Sequence, residues 1–67
     1  MPGSPNTTIK QCLVTLKGIE SQLSLFALNS LDQEAQTIFH ESMMTVEKIK
    51  KDLQNYLLDQ ELKRPNN

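Results

Sequence analysis

Apolar residues recur every three or four positions along most of this chain, and that spacing restricts it to helices packed side by side. The first series has gaps of 3, 4, 3, 4 and 3 residues, which keep one helical face apolar: Ile9, Cys12, Leu16, Ile19, Leu23 and Phe26. Leu13 and Ala27 widen this face. Asn6, Thr7 or Thr8 can cap the helix start. We therefore predict a first helix over about residues 9–28.

A second series begins after Asn29 and Ser30, where the first pattern stops. Asn tolerates the left-handed conformation that closes helices, and the run Ser30-Leu31-Asp32-Gln33 fits a capping box. The series consists of Leu31, Ala35, Ile38, Ser42, Val46, Ile49, Leu53, Tyr56 and Leu57, broadened by Phe39, Met43 and Leu58. Pro65 blocks continuation. We predict a second helix over about residues 31–62.

The short turn between the two helices predicts an all-α, antiparallel two-helix hairpin. The hairpin occupies residues 9–62, between a flexible N-terminal tail (1–8) and a C-terminal tail (63–67). At a rise of ~1.5 Å per residue, the second helix should extend about 15 Å beyond the first. This overhang carries Tyr56, Leu57, Leu58 and Leu62.

Such a chain needs additional stabilisation, because a core formed by fewer than roughly 70–80 residues seldom supplies more than about 3–5 kcal/mol. Cys12 is the only cysteine and His40 the only histidine, so we expect neither an internal disulfide nor a metal site. Self-association or exceptionally good helix packing remains, and we expect a dimer that forms a four-helix bundle. The residues predicted at the oligomer or partner interface are Ile9, Cys12, Leu16, Ile19, Leu23, Leu25, Phe26, Leu28, Leu31, Ile38, Phe39, Met43, Val46, Ile49, Leu53, Tyr56 and Leu57.

Charge and apolar run length exclude other classes of protein. Seven basic side chains face eight acidic ones, a balance that argues against nucleic-acid binding. The longest apolar run, Leu25 to Leu28, is far shorter than the roughly 20 residues of a membrane span, and no signal peptide follows Met1. We expect an intracellular protein, in the cytoplasm or in a spore.

Catalytic chemistry finds no support in the residue pattern. His40 has no metal ligand or base partner at a suitable spacing, and the Ser and Thr hydroxyls have no neighbouring base. We therefore predict a protein that is not an enzyme, with no catalytic residues, cofactor or small-molecule substrate. Cys12 is expected to pack in the core, with a disulfide between two chains as the alternative. Lys48, Lys50 and Lys51 are expected to form a solvated face with intrahelical pairs to Glu47 and Asp52.

Several short segments resemble one family of small proteins from endospore-forming bacteria, catalogued as a domain of unknown function. The segments are Ile9-Lys10-Gln11-Cys12-Leu13, Leu16-Lys17-Gly18, Phe26-Ala27-Leu28, Glu34-Ala35 and Asp52-Leu53. The likeness covers about residues 9–62, and this chain departs from the family at both ends. Members occur alone or fused to YetF-like membrane proteins, often encoded beside SpoVA-type channel genes.

The resemblance implies a sporulation setting and gives no catalytic residues to transfer. Our leading hypothesis is a self-associating hairpin with a sporulation-linked structural or adaptor role. The alternative is a binding module for a membrane protein or a regulator, which would cover Leu25, Leu28 and the overhang of the second helix. A Spo0E-type phosphatase is a third hypothesis, but residues 21–25, Ser-Gln-Leu-Ser-Leu, lack the aspartate of that motif.

Overall fold

Two helices joined by a short turn make up residues 5–63, the part of the chain that a computed structural model describes, with side chains from Asn6 onward. Helix α1 spans Pro5–Asn29 and helix α2 spans Gln33–Lys63. The predicted all-α helical hairpin is confirmed. The hairpin measures 55 × 24 × 12 Å, so it is a single layer of two helices.

Both helices differ from their predicted bounds at the N-terminal end. Helix α1 begins at Pro5, before the predicted start at Ile9, because proline has no N–H to leave unpaired and its φ angle already suits a helix. The residues expected to cap it, Asn6 to Thr8, are therefore part of the helix. Helix α2 begins at Gln33 instead of Leu31 and ends at Lys63. Residues 1–4 and 64–67, the remainder of the two predicted tails, lie outside the described residues.

The start of α2 is capped by Asp32, not by the predicted Ser30. The Asp32 carboxylate accepts a hydrogen bond of 3.1 Å from the Ala35 N–H, which satisfies one of the unpaired amides of the first turn. The side chain of Gln36 reaches back and donates to the Ser30 carbonyl at 2.7 Å. The cap in the structure therefore uses Asp32, two residues after the predicted Ser30, and Gln36, three residues after the predicted Gln33.

The end of α1 closes without a left-handed residue. The Ser30 N–H donates to the Ala27 carbonyl at 3.4 Å, which tightens the last turn of the helix. No residue within the described range has a positive φ angle, so the left-handed conformation expected at Asn29 is not used.

The contact between the helices follows a different set of positions from the one predicted. Among the described side chains only Leu13 and Leu57 are buried, at 9% and 8% exposure. The half-buried residues that continue the contact are Ile9, Leu16, Glu20, Leu23 and Ala27 of α1 and Ala35, Phe39, Met43, Val46, Lys50 and Leu53 of α2. Five polar residues of the helices are also half-buried: Asn6, Ser24, Ser42, Glu47 and Gln60. Leu13, Glu20 and Ala27 thus occupy the contact positions expected for Cys12, Ile19 and Phe26.

The predicted overhang of α2 is also shorter in the structure. Helix α2 has 31 residues and α1 has 25. The difference of six residues corresponds to ~9 Å at the helical rise. Leu57, expected to project beyond α1, is buried instead. The earlier start of α1 at Pro5 accounts for both differences.

Candidate association surface

A lysine lies at the centre of the contact between the two helices. The Lys50 ammonium is 2.7 Å from the Glu20 carboxylate across the hairpin and 3.3 Å from the Glu47 carboxylate on its own helix. The Lys50 side chain is only 11% exposed. An ammonium so well covered requires a partner, and Glu20 provides one from the facing helix.

This ion pair changes the titration of both partners. The hydrogen bond from Lys50 lowers the pKa of the Glu20 carboxyl below its ordinary value. The same hydrogen bond raises the pKa of the Lys50 ammonium, and the contact with Glu47 raises it further. Each group is therefore held in its charged form by the other.

One side of the hairpin carries six exposed side chains that are apolar or weakly polar. Helix α1 contributes Cys12, Ile19 and Phe26, and helix α2 contributes Ile38, Ile49 and Tyr56. We call these six residues the apolar face. Ile19 is 41% exposed and Phe26 is 54% exposed, so a large part of each side chain remains in water.

Helix geometry places all six residues on the same side. Each residue of the apolar face immediately precedes a contact position on its own helix. These residues are Cys12, Ile19 and Phe26 on α1 and Ile38, Ile49 and Tyr56 on α2. One residue turns the chain by about 100° in the same sense on every α-helix, viewed along its own direction. Because the two helices run in opposite directions and face each other, the residue that precedes a contact residue points to the same side of the hairpin on α1 and on α2.

Four of the six residues also form two layers along the hairpin. The Glu20–Lys50 ion pair and the Phe26–Phe39 ring contact, with centroids 5.8 Å apart, show which parts of the two helices lie side by side. Continued along both helices at equal rise, this register brings together Cys12 with Tyr56 and Ile19 with Ile49, whereas Phe26 and Ile38 are offset by four residues, or ~6 Å. The apolar face therefore crosses from one helix to the other in these two layers.

The opposite side of the hairpin is mixed. It begins one residue after each contact position, with Lys10 and Lys17 on α1 and Glu47 and Gln54 on α2. The same rule places four exposed apolar residues there: Val14, Leu28, Met44 and Leu58. An open groove of about 400 Å³ lies there, lined by Ser24, Ala27, Leu28, Gln36, His40 and Met43. His40 is its one ionisable lining residue, too few for acid–base chemistry between two groups.

The predicted interface residues separate into three sets. Those in the contact within the hairpin are Ile9, Leu16, Leu23, Phe39, Met43, Val46, Leu53 and Leu57. Those on the apolar face are Cys12, Ile19, Phe26, Ile38, Ile49 and Tyr56. Leu25, Leu28 and Leu31 are exposed at or near the turn, and Leu31 is 103% exposed. The core position expected for Cys12 is wrong, because its side chain is exposed.

Sequence reasoning missed Glu20 and Lys50 as contact residues and gave Leu13 only a secondary place. The signal was present, because Ile9, Leu13, Leu16, Glu20, Leu23 and Ala27 alternate gaps of four and three residues as regularly as the predicted series does. This second series was not recognised because it includes Glu20, a charged residue at a position where an apolar residue is expected. An opposite charge at Lys50 could have revealed the pair.

Two further structural findings bear on the class of protein. Neither helix, within residues 5–63, combines the length and apolarity that crossing a bilayer requires. The same residues contain no group of three His, Cys, Asp or Glu side chains able to hold a metal ion.

Fold and surface together define a helical hairpin with an apolar face on one side and a mixed surface on the other. Residues 9–57, well over half of the chain, match the family of proteins of unknown function designated DUF1657. The chain belongs to this family. No curated protein and no solved structure matches the chain.

Proposed function

We propose that this protein is a non-enzymatic helical hairpin that dimerises through its apolar face into a four-helix bundle and serves a structural or adaptor role linked to sporulation. The observation that carries the proposal is the apolar face itself, six exposed side chains on one side of the hairpin. A monomer would leave this surface in water, and contiguous apolar patches of this kind mark interaction sites.

The size of the hairpin supports association between two copies. Its broad side measures 55 by 24 Å, which exceeds the ~800 Å² per partner of a standard interface. Burying a large apolar side chain completely contributes about 1.5–3 kcal/mol, and the face residues are already partly covered. Twelve such side chains from two copies would contribute on the order of 10 kcal/mol, comparable with the roughly 4–15 kcal/mol cost of association.

Charged residues on the opposite side of the hairpin support a closed dimer. Lys10, Lys17 and Glu47 lie there among exposed apolar residues, so a third copy would have to desolvate charged groups. Association through one side only gives a twofold interface that closes after two copies.

The sporulation setting is supported by the resemblance of residues 9–62 to small proteins of endospore-forming bacteria. We propose an intracellular location, in the cytoplasm or in the spore. A sporulation-linked role predicts that the protein accumulates after the onset of sporulation and that Ile19→Asp gives the same spore defect as loss of the gene. Equal amounts of the protein in growing and in sporulating cells, together with normal spores from the Ile19→Asp variant, would argue against this role.

Mass in solution tests the dimer directly. Light scattering at micromolar concentration should give twice the 7.6 kDa mass of the chain. Ile19→Asp and Ile49→Asp should each shift the mass towards the monomer, because a charge would enter the interface. Val14→Asp is the matched control, since Val14 is equally apolar and more exposed but lies on the outer side of α1. A wild-type monomer at every concentration, or a Val14 variant that dissociates equally, would contradict the proposal.

A second candidate function is a binding module for a membrane protein or a regulator. Leu25 lies one residue before Phe26 and Leu28 two residues after it, so both point away from the apolar face, and both are exposed. A dimer would leave them uncovered. In sporulating cells, the wild-type protein and a Ser21→Glu control should be crosslinked to a partner protein. A Leu25→Glu, Leu28→Glu variant should not be crosslinked to it. Equal recovery from the two variants speaks against this surface.

A further inference from the structure

We propose that the outer edge of α1 is a second association surface, through which α1 helices from two different dimers pack against each other in opposite directions. This edge is directed away from α2, so neither the contact within the hairpin nor the apolar face covers it. The dimer stays closed through its broad side, and the edge of α1 adds a weaker contact between dimers. The inference rests on different residues from those of the proposed dimer.

Six exposed and uncharged residues form a continuous stripe along this edge. Each lies one or two positions after a contact residue of α1, which is about 100–200° around the helix. Val14, Leu25 and Leu28 are each more than half exposed, so the hairpin leaves three large apolar side chains of the stripe in water. We call the stripe the outer stripe, and its gaps alternate between three and four positions: Gln11, Val14, Gly18, Ser21, Leu25 and Leu28.

The outer stripe is self-complementary when two α1 helices run in opposite directions. A twofold axis that passes between positions 19 and 20 sets Val14 at the height of the partner's Leu25 and Gly18 at the height of the partner's Ser21. The same axis sets Gln11 at the height of the partner's Leu28. Two apolar layers therefore flank a centre of small residues, and a twofold contact requires such a self-complementary surface.

The glycine at the centre of the outer stripe has no role within the hairpin. A Cβ atom on Gly18 would meet no other atom within 4 Å, and the φ angle of Gly18 is not positive. Glycine weakens a helix interior, so neither packing nor backbone conformation explains it here. Without a side chain, Gly18 lets a second helix approach more closely than the usual 8–10 Å between axes.

Charge identifies α1 of another copy, and not α2, as the helix that fits this edge. The equivalent outer positions of α2 include three charged residues, so contact with α2 would desolvate charges, whereas two outer stripes bring none together. Lys10 and Lys17 border the outer stripe, where long side chains can keep their ammonium groups in water. The equivalent positions of α2 are Glu41, Met44, Lys48, Lys51, Asn55 and Leu58.

The size of the contact predicts a weak association. Residues 11–28 extend over roughly 26 Å of helix, and a helix is about 10 Å wide. Such a contact is much smaller than the ~800 Å² per partner of a standard interface. We therefore expect dimers to associate only at high concentration, towards millimolar chain. Because each dimer carries two outer stripes, one dimer can contact two others.

Disulfide formation between engineered cysteines tests the register. Chains with Val14→Cys and chains with Leu25→Cys, both in a Cys12→Ala background, are mixed at high concentration and mildly oxidised. The mixture should form linked pairs, because the two positions lie at the same height. Neither variant alone should link, since like positions are 11 residues or ~17 Å apart along the axis, beyond the ~7 Å between Cα atoms that a disulfide allows. Equal linking of one variant alone would overturn the antiparallel register.

Mass as a function of concentration tests the contact itself. The wild type should exceed twice the 7.6 kDa chain mass as the concentration approaches millimolar. Gly18→Leu should stop at the dimer, because its side chain fills the space needed for close approach. Asn55→Leu is the matched control, since Asn55 occupies an equivalent outer position on α2. Circular dichroism should show that Gly18→Leu remains helical, because no atom of the hairpin lies near the added side chain.

The outcomes separate this contact from the dimer proposed above. A dimer mass at every concentration, or a Gly18 variant that associates as the wild type does, would overturn the outer contact and leave the apolar-face dimer intact. Loss of all association in Gly18→Leu, with no effect of Ile19→Asp, would support the outer contact and contradict the apolar-face dimer.

Discussion

Lys50 shows how a single charged side chain can occupy a contact between helices. Its long stem packs between α1 and α2 while its ammonium reaches Glu20 and Glu47. Such a pair fixes the register, because sliding one helix past the other would separate the charges. It adds less to stability than apolar packing of the same volume would, because two charges lose part of their hydration.

Replacing both partners of the ion pair tests this balance. We expect Lys50→Met and Glu20→Leu to destabilise the protein singly, because each leaves the other charge without its partner. The double variant should recover most or all of the loss, since two apolar residues can pack there. Denaturant unfolding of the wild type, the two single variants and the double variant measures the coupling free energy between the two side chains. Strictly additive losses would show that the two side chains do not interact.

The pH dependence of stability follows from the pKa changes of the pair. Because the pKa of Glu20 is lowered in the folded chain, its contribution is present above the unfolded value of about 4.3 and is lost as the pH falls through the folded value. Because the pKa of Lys50 is raised, its contribution is complete below about 10.4 and is lost at higher pH.

Stability should therefore show a plateau between these limits. Thermal midpoints across the pH range test this, and Glu20→Gln should weaken the dependence on both sides. Lys48→Gln is the control, because Lys48 pairs with Asp52 on the exposed side of α2. An acid dependence unchanged in the Glu20 variant would contradict the expectation.

Buried Leu57 and exposed Leu58 are adjacent leucines that allow a matched comparison. Leu57→Ala should cost about 2–3 kcal/mol of unfolding free energy, since it removes one of two buried side chains. Leu58→Ala should cost well under 1 kcal/mol, because the side chain is 56% exposed and the helix propensity change is the same. Chemical denaturation separates them, and equal losses would show that the hairpin contact does not extend to Leu57.

At the scale of the elements, the sequence predicted the two helices and their antiparallel order, but it assigned part of the wrong face of α1 to the contact with α2. Two apolar series share Ile9, Leu16 and Leu23, and they differ at the positions between these residues. The series through Cys12 looked complete, whereas the series through Leu13 contains Glu20. Only the facing helix, which supplies Lys50, makes a charge acceptable at that position, and no local pattern contains this information.

The cap of α2 can be tested against the one predicted from the sequence. Asp32→Ala should destabilise the protein by about 1 kcal/mol, because the Ala35 N–H loses its acceptor. Gln33→Ala is the control, since Gln33 belongs to the predicted capping box and the cap in the structure uses Asp32 and Gln36. Thermal unfolding measures both. A larger loss for the Gln33 variant would restore the predicted box.

At the scale of the whole molecule, the hairpin distributes its charge unevenly between its helices. Helix α1 contains only three charged side chains in 25 residues, Lys10, Lys17 and Glu20, and all three lie towards the contact or the side opposite the apolar face. Helix α2 carries most of the charge and keeps the pair in water.

If folding and association are linked, thermal stability must depend on concentration. The melting temperature should rise by several degrees between low micromolar and millimolar chain, because association stabilises the folded state by mass action. Ile49→Asp should show a lower melting temperature that no longer changes with concentration. A constant melting temperature for the wild type would indicate that the hairpin folds alone.

The one-residue offset between the contact positions and the apolar face also limits which changes in length the helices can accept. Inserting or deleting a single residue within α1 would rotate everything beyond it by about 100°. An insertion before Ile19 would move Ile19 into the contact, a deletion there would move Ser21 into it, and in both cases Glu20 would leave its lysine. Sequences that preserve this hairpin should therefore vary in length at the turn around Ser30 and at the chain ends, while the interval from Leu13 to Ala27 stays fixed.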